Sequence, residues 1–88
     1  MDVSAQLSEL LDLAEQLGMT IRRAPGSEDS PGASLVRLKG KEMLFVDTSA
    51  PVADQIAAVA SALAGRDELA DRFIRPEIRQ LLDAAGGV

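Results

Sequence analysis

Glu9, Asp12 and Glu15 recur at intervals of three within a helical pattern, which gathers three carboxylates on one side of a helix. Carboxylates so placed could pass a proton between them or hold a cation. Either task needs surroundings that draw the groups out of water and set their proton affinities apart, and no neighbouring residue supplies that cover. The trio therefore reads as a solvated helix face. The chain has no His and no Cys, which removes the usual zinc ligands, the acid/base group that works near neutrality and the strongest nucleophile together. No metal, no cofactor and no catalytic residue is expected.

The remaining polar groups have plainer roles. Thr48 and Ser49 precede Pro51, where hydroxyls cap a helix before they serve as nucleophiles. Arg72, Arg75 and Arg79 could clamp a phosphate, but Asp71 and Glu77 are interleaved with them, as on a mixed solvated face. Arg22, Arg37 and Lys39 lie on the polar sides of two strand patterns and form a basic patch suited to an acidic ligand or partner. The terminal Gly86-Gly87 is similar to the conjugating tails of ubiquitin-like proteins, yet the helix-first order does not suit their β-grasp fold. Residues 86–88 are expected to fray.

These groups must be positioned by a small frame. Eighty-eight residues make one domain, 1–88, which can waste little apolar surface. With two Phe and neither Trp nor Tyr, the core must come from Leu, Ile, Val and Ala, and no stacking platform for bases exists. A net charge of −5 argues against nucleic acid and anionic membranes as partners. Without Cys no disulfide can staple the chain, and neither a signal-peptide pattern nor a spanning apolar run is present. A cytoplasmic protein is expected.

Val3, Leu7, Leu10, Ala14 and Leu17 share one helical face, with Asp2 to cap its start and Gly18 to stop it. Met19 to Arg23 alternates as a half-buried strand. Residues 24–33, APGSEDSPGA, read as a flexible loop. Leu35 to Lys39 and Glu42 to Asp47 form a hairpin around Gly40. Its second arm, Met43 to Val46, is apolar on both sides and should lie inside the sheet or be covered twice, which makes a second copy of the chain a candidate partner. From Pro51 to Ala64 a helix ending at Gly65 presents Val52, Ile56, Val59 and Leu63, and its many alanines invite close neighbours. Pro76 opens a last helix with Ile78, Leu81, Leu82 and Ala85 on its apolar stripe. The expected class is α+β in the order α-β-β-β-α-α: a helix, a three-stranded and mainly antiparallel sheet, a central helix and a C-terminal helix.

Leu17-Gly18-Met19, Leu44 to Asp47, the Pro51 helix start and Val59 to Gly65 together resemble the ImmA/IrrE-like minimal zinc metallopeptidases. In that family the last stretch carries H-E-x-x-H, two His on one helix face for the metal and a Glu to activate its water. Ser61 and Gly65 stand where the two His would be, and Ala62 replaces the Glu. The resemblance implies a scaffold without the active site. It also implies that the face of Asp54, Ala58, Ser61 and Gly65 once looked onto the metal. The segment with Phe73, Ile74, Ile78 and Leu81, whose apolar side chains need a partner, is the best candidate to fill it, and an open cleft that binds a ligand or another protein is the alternative. With the face filled, Phe73, Ile74 or Ile78 should lie near Ala58 or Ser61.

The function expected from these readings is that of a non-catalytic pseudoenzyme acting through protein contacts, with an unidentified partner or a second copy. The alternative is a small acidic-ligand-binding module at Arg22, Arg37 and Lys39.

Overall fold

Asp2 takes an extended conformation and its carboxylate accepts the Ala5 N–H at 2.8 Å, so the first helix, α1 (Val3–Gln16), begins where the capping residue predicts. It ends in a Schellman motif. Gly18, at φ +94°, lets its own N–H reach Glu15 O (2.9 Å) and the Met19 N–H reach Ala14 O (3.1 Å). The computed structural model describes residues 2–25 and 32–86. Within them follow β1 (Thr20–Ala24), β2 (Ala33–Leu38), β3 (Lys41–Asp47), α2 (Val52–Leu63), a 3-10 turn (Asp67–Asp71) and α3 (Pro76–Ala85). The fold is α+β in the expected order. Most of the loop 24–33 and the end of the tail 86–88 lie outside the described residues.

The strand order is β1-β3-β2. β3 is central, as its two-sided apolar run requires, with β2 antiparallel to it through the hairpin and β1 parallel to it. At the hairpin turn Lys39 (φ 52°) and Gly40 (φ 77°) both adopt left-handed backbone, the type I′ geometry that matches strand twist. α1 and α2 pack against the sheet, and α3 packs on α1 and α2 without touching a strand, so a helical layer lies against the sheet layer. Leu10, Leu44, Val59 and Leu63 are fully buried between them, joined by Leu7, Met19, Val46, Ile56, Ile78 and Leu82 in one core. A radius of gyration of 12.2 Å is what one core of this length gives, about 12 Å.

α2 is the hub, touching α1, α3, β2 and β3. Its small residues permit this: a Cβ on Gly32, just before β2, would lie 2.5 Å from Asp54 O and 3.1 Å from the Ala58 Cβ. The helix begins differently from the expectation. Pro51 occupies the N-cap position without a side-chain bond, and neither Thr48 nor Ser49 caps it. The Ser49 N–H and hydroxyl both donate to Asp47 Oδ1 instead, closing a turn at the end of β3. Buried Gln55 donates from Nε2 to Ala50 O at 2.8 Å and ties the helix to that turn.

Candidate functional site

Strand register decides which side chains share a surface. Arg22 pairs with Phe45, and Val36 with Met43, while Ile21 and Leu35 pair with buried Leu44. Alternation then puts Ile21, Leu35, Leu44 and Val46 towards the helices and Arg22, Val36, Leu38, Met43 and Phe45 on the other face. Among the described residues no helix covers that face. Val36, Leu38 and Phe45 are 39%, 59% and 42% exposed, an apolar row across two strands.

The two edges of the sheet differ. β1 carries Arg22 and Arg23 side by side, the kind of charge that blunts an edge, whereas β2 reads Ala-Ser-Leu-Val-Arg-Leu, with one charge and no Pro. The Asp47 N–H donates to Gly32 O at 2.8 Å, which sets the ladder's phase. Ser34, Val36 and Leu38 therefore turn their backbone groups to β3, and Ala33, Leu35 and Arg37 turn theirs outward.

Charge follows the layers. Residues 20–24 and 33–47 hold five basic side chains, Arg22, Arg23, Arg37, Lys39 and Lys41, against Glu42 and Asp47, a net of +3 in a chain whose total is −5. Residues 2–18 and 51–86 hold ten carboxylates against four arginines, a net of −6. Where the layers meet, Arg66 clamps Glu42 with both terminal guanidinium nitrogens, Nη1 to Oε1 at 2.9 Å, while its Nε donates to Ala62 O at 3.2 Å. The hydrogen bonds from Arg66 hold the Glu42 carboxyl below the ordinary glutamate range, with Arg37 adding at 3.4 Å, and the same contact raises the Arg66 pKa. Sequence reading missed this clamp, which joins residues 24 positions apart.

The basic patch expected from sequence is not assembled. Arg22 lies on the open face of β1, Arg37 at the helix-side face of the opposite edge strand beside Glu42, and Lys39 in the hairpin turn, with β3 between the two arginines. Glu9 pairs with Arg75 at 2.9 Å, and among the described residues no three acidic groups gather to hold a metal. Arg72 donates to Gln16 Oε1 and O at 3.0 and 3.1 Å, so two of the three arginines that could have clamped a phosphate fasten α1 instead.

The positions that resemble a zincin's also come out changed. α2 stops at Leu63 and Ala64 is extended (ψ 143°), so Ser61 and Gly65 do not share a helix, and Ala62 packs against the core. In the C-terminal segment Ile78 is buried in the core and Ile74 packs against it, while the last turns of α3 lie beside Ser61. Leu81 and Ala84 line a groove of about 400 Å³ with Val3, Gln6, Ala57 and Ser61. Phe73 is 89% exposed and fills nothing, and Ala58 is met by Gly32. The chain matches no known protein family, no characterised protein and no solved structure.

Proposed function

We propose that this protein is non-catalytic and works through contacts with other proteins, made by the open side of its sheet. The observation that supports this is the row Val36, Leu38, Met43 and Phe45, apolar side chains on a face that no described helix covers. A small domain has little apolar surface to leave in water, so such a row is a place for a partner. The scaffold reading, a relative of minimal zinc metallopeptidases without their motif, rests on element order and on the residues quoted for it. A cytoplasmic setting belongs to the same proposal and is favoured by the lack of cysteine. Among the described residues no helix is long and apolar enough to cross a membrane.

The test is cross-linking capture with the native chain and with a Val36→Thr/Phe45→Thr variant, which keeps strand-forming residues while making the row polar. A partner captured by the first and lost by the second, with the circular dichroism unchanged, is the expected result. Equal capture by both would move the contact elsewhere and overturn the reading.

A further inference from the structure

The outer edge of β2 carries less charge than that of β1. Ala33, Leu35 and Arg37 present their N–H and C=O groups outward, and no described residue pairs with them. The side chains around that edge are of two kinds. Leu35 and Val36 are 36% and 39% exposed along the strand, and the hairpin end carries Arg37 on the helix side beside Glu42, which Arg66 also holds, Lys39 in the turn and Lys41 on the open side. The three cations thus stand at one end of an apolar edge, in a sheet of net charge +3.

We propose that β2 accepts an extended segment of a partner protein as a fourth strand, one with apolar residues at alternate positions and carboxylates against Arg37, Lys39 and Lys41. Main-chain bonds to Ala33, Leu35 and Arg37 hold the segment, and side-chain alternation sets its register. The carboxylates select it and steer its approach. Charge does not favour a second copy as the occupant: β2 contains no acid, so two paired β2 strands set no carboxylate of either strand against the cations. This inference rests on the contact reading above, but the two can fail apart, because peptide pairing is measured on the edge amides and capture on the open face.

The probe is a seven-residue peptide alternating valine and aspartate, titrated into the isotopically labelled full chain. Expected are shifts centred on the amides of Ala33, Leu35 and Arg37, binding that weakens as salt rises, and about tenfold weaker binding when lysine replaces aspartate. An alternately N-methylated peptide should not bind. Leu35→Pro, which removes an outward N–H and no bond to β3, should abolish binding while β2 stays paired to β3. Shifts confined to the open face or the α2–α3 groove, equal affinity for the lysine peptide, or no binding at millimolar peptide would each overturn the proposal. So would a stable dimer without peptide in which the Leu35 amide is already protected from exchange.

Discussion

Gly32 shows how much a single residue can decide. It is buried, sits at φ +94°, and has the α2 backbone so close that any Cβ would strike Asp54 O. Gly18 shares the positive φ but has open space around it. Gly32→Ala should therefore lower stability by roughly 3 kcal/mol and Gly18→Ala by about 1, the difference being the clash rather than the dihedral. Urea melts of the two variants check this, and equal losses would mean that α2 shifts to make room. In the sequence Gly32 was one of two glycines in a loop-like run, because a close approach between distant segments leaves no local trace. The Arg66–Glu42 clamp was hidden for the same reason, and the pairing of Arg37 with Glu42 depends on a hairpin register that the sequence leaves open. Glu42 makes a second prediction. Its pKa is lowered on folding, so its contribution is present above the unfolded value of about 4.3 and is lost as pH falls through the lower folded value. Glu42→Gln should flatten the acid limb of stability against pH and leave its shape near neutrality unchanged, which thermal melts from pH 2.5 to 7 would show.

The elements were more legible than their contacts. Periodicity and capping residues marked α1, the hairpin and α3 closely, since those signals are local. What they missed is which strand lies beside which: Arg22 and Arg37 alternate correctly within their own strands yet fall on opposite faces, because the β1–β3 register is set by tertiary packing. The hairpin turn carries a prediction of its own. Lys39 occupies a left-handed position that Asn fills at less cost. Lys39→Asn should raise stability by roughly 0.5–1 kcal/mol, seen as a higher urea midpoint at unchanged slope. The C-terminal segment divides in the same manner. Ile78 is 2% exposed and Phe73 is 89% exposed. Ile78→Ala should cost about 2–4 kcal/mol and Phe73→Ser no more than about 0.5, whereas a purely apolar reading of the sequence had weighted both alike.

At the scale of the whole molecule the two layers differ in charge and in cover, and α2 joins them. It alone touches both other long helices and two strands, and it has no face wide enough to open without breaking contact with one of them. Its central amides, Val59 and Leu63, should exchange hydrogen only when the entire chain unfolds. The sheet should show a finer pattern. On β2 the amides of Ser34, Val36 and Leu38, turned to β3, should be protected, while those of Ala33, Leu35 and Arg37 should exchange close to the rate of an unstructured chain. Residue-resolved exchange in dilute monomer reads both levels at once. If Val59 and Leu63 exchanged faster than β3, the sheet rather than α2 would be the cooperative centre. If the outward β2 amides were as slow as the inward ones, the edge would be covered in the free protein, and the partner strand would have to displace that cover before it could pair.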